Sequence, residues 1–151
     1  MSGFDATDHA LLRHLAGDAD QSAAARAQLM GMSQPAVWRR LRRLEQSSVL
    51  KGQRLVLDRE KLGFGVTVFL GIKLSGKGGM LLEDFERAVT AIPEVQTVEH
   101  VLGMYDYRLR VVARDIADFE RILRRRIMAL PGAGDVEANV LLSEERRPGP
   151  L

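Results

Sequence analysis

The second half of the chain alternates between two hydrophobic periods, and this order restricts the possible folds more than any other feature. Apolar residues recur at every second position in four segments, which is the spacing of a β-strand. The four segments are residues 66–74, 95–102, 107–113 and 136–142. Helically spaced apolar residues lie after the first and third segments, namely Phe85, Val89 and Ile92, and then Phe119, Leu123 and Leu130. The order βαββαβ predicts a ferredoxin-like fold.

The first third of the chain has helical patterns joined by short connections. One helix is predicted to begin after Asp5 and end at Gly17, and a second to begin near Ser22 and stop at Gly31. Only two residues separate the second helix from Ser33, a favourable N-cap for a third helix. Two helices joined by a short glycine-containing turn have the spacing of a helix-turn-helix motif.

A β-hairpin is predicted after the third helix, with Gly52 near its turn. A helix-turn-helix followed by a hairpin is a winged helix, so we expect an α+β protein with a winged helix-turn-helix domain at residues 1–58. Residues 59–65, which combine charge with two glycines, are predicted to be a linker. The ferredoxin-like domain is expected at 66–145, and residues 146–151 are expected to be a frayed tail.

Positive charge is concentrated in one short stretch. The net charge is only +2, but residues 33–54 contain six basic residues and a single acid, Glu45. From Lys61 to the C-terminus, thirteen basic residues are balanced by thirteen acidic ones. A localised excess of this kind indicates an anionic partner, for which double-stranded DNA is the commonest candidate.

Composition excludes several other classes of protein. The chain of 151 residues is 46% hydrophobic and 28% charged, which is typical of globular rather than disordered or fibrous proteins. No apolar run approaches the roughly 20 residues that span a bilayer, and the first residues lack the order of a secretory signal. There is no cysteine, so disulfides and thiolate chemistry are excluded. We therefore expect a cytoplasmic protein without a membrane partner.

The third helix is the strongest candidate for contact with DNA. Val37, Leu41 and Leu44 form one apolar stripe, and the arginines are expected on the outer side of the helix. A solvated surface helix is the alternative, but such helices usually interleave acids with their bases. In a major groove, the first residues of the helix would approach base edges, and arginines would contact phosphates or guanine. The predicted DNA contacts are Ser33, Gln34, Pro35, Ala36, Arg39, Arg40, Arg42 and Arg43, with Lys51 and Arg54 from the wing.

Two of these assignments have ordinary structural alternatives. Lys51 and Arg54 could instead be an exposed pair without a DNA contact. Trp38, the sole tryptophan, lies beside Val37 and Leu41 on the helical wheel. We expect it to pack at the edge of the helical core rather than to stack on a base.

Signals of catalysis are weak, and we do not expect an enzyme. The three histidines have no partners at metal-ligand spacing, and no nucleophile or phosphate-binding motif is present. Glu99, His100 and Asp106 lie near one another in the sequence, but adjacent strand residues point to opposite faces. The stretch GMYD (103–106) between two predicted strands is either a simple hairpin turn or a binding site.

Four motifs in order resemble the Lrp/AsnC (leucine-responsive, or feast/famine) family of regulators, over residues 4–145. They are FDATDHALLRHL, GMSQPAVWRRLRRLE, HVLGMYDYRLRV and ALPGAGDVEANVLL. The resemblance implies a DNA-binding winged helix joined to a ferredoxin-like effector domain of the RAM/ACT-like kind. It also implies dimers that assemble further, often to octamers built as tetramers of dimers. The small effector, commonly an amino acid, would lie near the turn; the matching residues are Leu102, Gly103, Met104, Tyr105 and Asp106.

The chain departs from the family pattern at several positions. Arg26 stands where a buried leucine or isoleucine is usual, so the second helix is expected to pack differently or to direct this side chain outward. Ser48 replaces a glycine before the wing. Leu102 and Met104 are larger and more apolar than is common, which favours an apolar or aromatic effector, or none.

These observations together predict a sequence-specific, DNA-binding transcriptional regulator that responds to a small effector, an amino acid, and that uses no cofactor. We expect it to act in the cytoplasm at the nucleoid. The alternative is an architectural, chromatin-like protein that binds DNA as an oligomer without responding to an effector. The two hypotheses share a fold and differ only in their response to a ligand.

Overall fold

The computed structural model describes residues 3–52, 54–76 and 78–145. The chain divides into two compact units, one comprising the residues up to Val56 with Glu145, and the other Leu57–Glu144. The predicted tail at 146–151 lies outside the described residues. The exact domain limits and the linker at 59–65 remain predictions.

Three helices form the N-terminal unit: α1 at Ala6–Gly17, α2 at Ala23–Leu29 and α3 at Gln34–Gln46. Their buried apolar core consists of Leu11, Leu15, Ala27, Val37 and Leu44. Residues that the sequence placed on apolar faces, at helical spacing, therefore meet in one cluster. This cluster is small, and polar contacts at the helix ends supplement it.

The predicted helix boundaries are confirmed by their caps. Asp5 and Asp8 form a capping box, in which the Asp8 amide donates to Asp5 (2.8 Å) and the Asp5 amide donates to Asp8 (3.0 Å). The Ser22 side chain accepts from the amide of Ala25 at the start of α2. After α2, Gly31 has a φ of 61°, a left-handed conformation that glycine adopts without strain. The turn between α2 and α3 is thus short, as a helix-turn-helix requires.

Arg26 is directed inward, so the suggestion that it points outward is wrong. It is only 5% exposed, and its guanidinium donates to the carbonyls of Asp18 (3.3 Å) and Ala19 (2.6 Å). These carbonyls follow the C-terminus of α1, where backbone acceptors lack helical partners. The long arginine side chain crosses the core edge and ties α2 to the end of α1.

The predicted wing hairpin is absent from the described part of residues 47–58, which contain no strand. After α3 the chain turns at Ser48, which has a φ of 59°, and the Leu50 amide then donates to the Leu44 carbonyl (3.1 Å). Leu55 and Val56 are about nine-tenths exposed. No strand pairs with this segment in the described residues, so no ladder forms.

The second unit is an antiparallel sheet of β1 (Val66–Leu74), β2 (Val95–His100), β3 (Tyr107–Ala113) and β4 (Ala133–Val140). The strand order is β2-β3-β1-β4. Helix α4 (Gly79–Thr90) joins β1 to β2, and α5 (Ile116–Ile122) with a following π-helical turn (Leu123–Ile127) leads towards β4. The predicted βαββαβ order is therefore confirmed.

One face of this sheet carries the core. Alternate residues of β1 and β3 are buried, including Val68, Leu70, Leu109 and Val111. Phe85 of α4 packs against this face. The outer strand β4 is exposed along most of its length, and Val140 and Leu142 of the predicted period-two alternation are exposed. Because β4 lies at the edge of the sheet, fewer neighbours cover it.

Candidate DNA-binding helix and effector cavity

Helix α3 buries one stripe and presents arginines on the other side. Val37 and Leu44 are fully buried, and Leu41 is half-buried. Arg39 and Arg42 are exposed, three residues apart on the far side of the helix. This part of the predicted DNA-binding surface has the orientation expected from the sequence.

Arg40 and Arg43 point back towards α1 instead. The Arg40 guanidinium contacts Asp5 (2.8 Å) and Asp8 (2.7 Å), and that of Arg43 contacts the other oxygen of Asp8. The Asp8 side chain is completely buried. The expectation that all four arginines lie on the outer side is therefore wrong for these two, because their partners stand at the start of α1, 32 to 35 residues earlier.

Electrostatics keeps this cluster ionised. Burial raises the pKa of Asp8, but the hydrogen bond from the Asp5 amide, that from Arg40 and the nearby charge of Arg43 outweigh it, so the pKa is lowered. The hydrogen bond from Arg40 likewise lowers the pKa of Asp5, and its two carboxylate partners raise the pKa of Arg40. We refer to Asp5, Asp8, Arg40 and Arg43 as the α1–α3 ion cluster.

The start of α3 is accessible. Ser33 occupies the N-cap position, but its hydroxyl makes no capping hydrogen bond. Ser33, Gln34 and Pro35 are exposed, and Ala36 is half-buried. With the amides of the first turn, these side chains give the helix N-terminus several groups that could reach an anionic or hydrogen-bonding partner.

Trp38 does not pack into the core edge as predicted. Its side chain is 51% exposed, and the Arg42 guanidinium lies 4.6 Å from the ring centroid. At this distance the cation is attracted by the ring face. The ring thereby supports Arg42 on the outer side of α3.

Lys51 and Arg54 do not project from a hairpin. Lys51 is exposed in a segment that forms neither helix nor strand. Arg54 borders a mainly apolar cavity of about 350 Å³ whose walls include Leu12 and Leu15 of α1. A DNA contact by either residue remains a prediction, without the wing that was expected to present it.

The turn between β2 and β3 holds the residues predicted to bind an effector. The Asp106 carboxylate accepts from the Leu74 amide (2.8 Å) and from Lys73 (3.1 Å), and its own amide donates to the Ile72 carbonyl (2.9 Å). These bonds attach the turn to the end of β1. Leu102 is fully exposed, and Met104 is largely exposed.

Tyr105 lies over the open face of the sheet. A Cβ added to Gly71 would stand 2.5 Å from its ring, so only glycine leaves room for the ring there. The Tyr105 hydroxyl donates to Glu137 of β4. This hydrogen bond raises the pKa of Tyr105 and lowers that of Glu137.

A cavity of about 280 Å³ opens beside this ring. Of the five predicted effector residues, Gly103, Met104 and Tyr105 line it, whereas Leu102 and Asp106 do not. The remaining walls come from the sheet and from β2's end: Phe69, Leu70, Gly71, Val101, Arg108 and Asn139. Sequence reasoning missed these, although strand alternation places Phe69, Gly71 and Arg108 on the face opposite the core.

The other clustered polar residues have structural roles. Glu99 pairs with Arg108 (2.6 Å), and the His100 ring stacks on Tyr107 with centroids 4.9 Å apart. Burial and the hydrogen bond to Glu86 raise the pKa of Tyr107 to about 12.

Within the described ranges, no three metal-ligating side chains come together. Nor does any described helix have the length and apolar character needed to cross a bilayer.

Comparison with known proteins agrees with both units. A family model of the AsnC-type helix-turn-helix domain matches residues 4–45, and one of the Lrp/AsnC ligand binding domain matches residues 67–151. The Bkd operon transcriptional regulator of Pseudomonas aeruginosa is 34% identical over 138 residues, which are 91% of this chain and 90% of that protein.

Solved structures share the fold over nearly the whole chain. An AsnC family transcriptional regulator from Agrobacterium tumefaciens is 30% identical and superposes with a TM-score of 0.87, covering 98% of this chain and 96% of that chain. A transcriptional regulator of Neisseria meningitidis, in complex with L-Met, has a TM-score of 0.89 at 23% identity and covers 95% and 93% of the two chains. The chain therefore belongs to the Lrp/AsnC family of transcriptional regulators.

Proposed function

We propose that this regulator reads double-stranded DNA with α3 in the major groove. The observation that carries the proposal is the orientation of α3, which buries Val37 and Leu44 and exposes Arg39 and Arg42 beside an accessible N-terminus. Gln34, Pro35 and Ala36 would approach base edges, and the exposed guanidinium groups would contact phosphates or guanine. The family membership supports this assignment.

Binding-site selection from random duplexes tests the proposal. We expect the full-length protein to enrich a defined sequence, and Arg39→Ala to weaken binding to it at least tenfold. Arg125→Ala is the matched control, because Arg125 is exposed in the second unit and forms no ion pair within the described residues. Equal binding by Arg39→Ala and Arg125→Ala would remove α3 from the interface.

We propose that the effector is an apolar amino acid bound in the cavity beside Tyr105. The cavity is mainly apolar, and Arg108 and Asn139 are among the polar residues that line it. The exposed Arg108, although paired with Glu99, would attract the carboxylate of the ligand, and Phe69 and Met104 would contact its side chain. The methionine complex of the Neisseria meningitidis regulator of like fold is consistent with this ligand class.

A thermal-shift screen with the twenty amino acids tests the second proposal and the alternative of an architectural protein. A ligand at 100 times its dissociation constant stabilises the folded state by about 2.7 kcal/mol. We expect an apolar amino acid to raise the melting temperature, and Arg108→Gln to reduce that shift. The matched control is Arg87→Gln, which removes another exposed, ion-paired arginine that does not line the cavity. No shift with any amino acid would favour the architectural function.

We further propose that the protein self-associates, as a dimer and then as an octamer, and that it acts in the cytoplasm at the nucleoid. Exposed apolar residues of the second unit support association, namely Leu102, Met104, Val140 and Leu142. Covering such side chains removes apolar area from water. Light scattering at micromolar concentration tests the assembly, and a monomer would contradict it.

A further inference from the structure

The four arginines of α3 fall into two electrically different pairs. Arg40 and Arg43 lie against the carboxylates of Asp5 and Asp8, so two positive charges face two negative ones. Arg39 and Arg42 form no ion pair with any carboxylate in the part of the chain that the structure describes. Arg42 instead lies over the ring of Trp38.

We propose that Asp5 and Asp8 are positioning residues for DNA binding, which act through Arg40 and Arg43 to fix α3 on α1. In this arrangement only Arg39 and Arg42 of the four arginines neutralise DNA phosphates. The inference rests on the proposed DNA-binding function and deepens it, because it divides one basic helix into a binding pair and a positioning pair.

The contacts of Arg40 and Arg43, the positioning pair, attach α3 to α1. Both oxygens of Asp8 are engaged by guanidinium groups, one by Arg40 and the other by Arg43, while the side chain is fully buried. Arg40 also reaches both oxygens of Asp5, at 3.0 and 2.8 Å. Arg40 and Arg43 lie one turn apart, so two consecutive turns of α3 are attached to the start of α1.

The same contacts withdraw these charges from any partner. A guanidinium that turned outward to a phosphate would leave one oxygen of the buried Asp8 carboxylate without its ion-pair partner, which is unfavourable. Arg39 and Arg42 have no such cost. A paired arginine therefore displaces no counterion from the DNA phosphates, whereas an unpaired one does.

Salt dependence distinguishes the two pairs. For a duplex recovered by binding-site selection, the logarithm of the binding constant falls linearly with the logarithm of salt concentration, with a slope of about −0.9 per phosphate contact. We expect Arg39→Gln to flatten the slope by about 0.9 for each α3 bound. The double variant Asp5→Asn/Arg40→Gln, which removes a neutral pair and keeps a residue able to cap α1, should leave the slope unchanged.

A second comparison covers the case in which the double variant does not fold, as judged by circular dichroism. Asp5→Asn alone releases part of the positive charge of Arg40, so it should steepen the slope. Glu45→Gln is the matched control, because it also removes one negative charge, at a residue of α3 with no ion pair in the described chain. Equal slopes for these two variants would overturn the inference.

The outcomes distinguish a failure of the division between the two arginine pairs from a failure of the proposed DNA-binding function. If the double variant flattens the slope as much as Arg39→Gln does, all four arginines contact phosphate and the division fails, although DNA binding stands. If the wild-type protein selects no duplex, the proposed function itself fails. A flattening confined to Arg39→Gln and Arg42→Gln supports the division, since an exclusively structural role for the ion cluster would not distinguish the arginines by slope.

Discussion

The two units of this regulator are stabilised in different ways. The core of the second unit contains fifteen buried residues, built around four strands and two helices. The core of the N-terminal unit contains five. The N-terminal unit also contains Asp8 and Arg26, the only two charged residues that are buried among the described residues.

This difference follows from size and architecture. Three short helices enclose little volume, so apolar burial alone gives a small domain a narrow margin of stability. Asp8 joins α1 to α3, and Arg26 joins α2 to the end of α1. Directional contacts at the helix ends therefore fix the relative positions of helices that a five-residue core holds only loosely.

The largest expected effect tests whether the smaller core is the weaker one. Leu44→Ala and Leu109→Ala remove the same atoms from fully buried positions, one in each unit. Each should lower the free energy of unfolding by about 3 kcal/mol. We expect this loss to unfold the N-terminal helices, whereas the sheet tolerates it.

Hydrogen exchange followed by mass spectrometry locates the loss. Amides of α1 to α3 should lose protection in Leu44→Ala, with the sheet amides still protected. In Leu109→Ala, the sheet should exchange faster without becoming fully open. Global loss of protection in both variants would contradict the comparison, because the two cores would then behave as one cooperative body.

A smaller effect tests the buried arginine. Arg26→Ala removes the hydrogen bonds to Asp18 and Ala19 and leaves a gap, so it should cost about 2 kcal/mol. Arg26→Met fills most of the same space, and the exposed backbone at Asp18 and Ala19 can be hydrated. Its cost should stay below about 1.5 kcal/mol.

Chemical denaturation followed through Trp38, the sole tryptophan, measures both variants in the unit concerned. Equal destabilisation by alanine and methionine would mean that the hydrogen bonds, rather than the packed side chain, hold α2 in place. The difference between the two variants thus measures how much of the contribution of Arg26 is volume.

Local sequence patterns predicted the helices and strands of both units, but they did not predict contacts between residues far apart in the sequence. Period-two alternation identified the faces of β1 and β3, and Ser22, Gly31 and Ser33 marked helix ends correctly. The wing prediction was wrong because a local pattern at residues 47–58 does not show whether two strands pair. The sequence carries no such information about partners.

The arginines of α3 show the same limit of local sequence patterns. The wheel places Arg40 only about 60° from Val37, which hinted that it lies near the core edge. Its carboxylate partners, however, precede it by more than 30 residues and are not implied by any local spacing. In the proposed effector cavity, the motif identified Gly103, Met104 and Tyr105 of the turn. It did not identify Asn139, which lies on a strand whose register is known only from the fold.

Acid should affect the N-terminal unit through Asp8. The folded-state pKa of Asp8 lies below the ordinary 3.8, so its carboxylate stabilises the fold above that pH. The contribution is lost as the pH falls below 3.8 and through the lowered value. We expect an acid transition in Trp38 fluorescence in this range, and Asp8→Asn should weaken the pH dependence while lowering stability at neutral pH.

Asp118→Asn is the matched control in the second unit. The pKa of Asp118 is also lowered, chiefly by the hydrogen bond from the Arg114 amide. Its replacement should leave the acid transition of Trp38 in place. A transition that moves with Asp118→Asn and not with Asp8→Asn would mean that the ion cluster does not set the acid response of the helices.

The smallest effect concerns the backbone just after α3. Ser48 has a φ of 59°, and this conformation costs a residue with a Cβ about 1–2 kcal/mol. Glycine avoids that strain but loses about 0.5–1 kcal/mol in chain entropy. Ser48→Gly should therefore stabilise the N-terminal unit by about 0.5 kcal/mol, measured by denaturation through Trp38.

Ser47 provides the control with the opposite sign. It has a right-handed φ of −79°, and its hydroxyl donates to the Leu44 carbonyl (2.9 Å). Ser47→Gly removes that bond and adds chain entropy, so it should destabilise by about 1 kcal/mol. If both glycines destabilise, the turn after α3 is held by its serine side chains, and backbone strain contributes little to the low stability of the smaller unit.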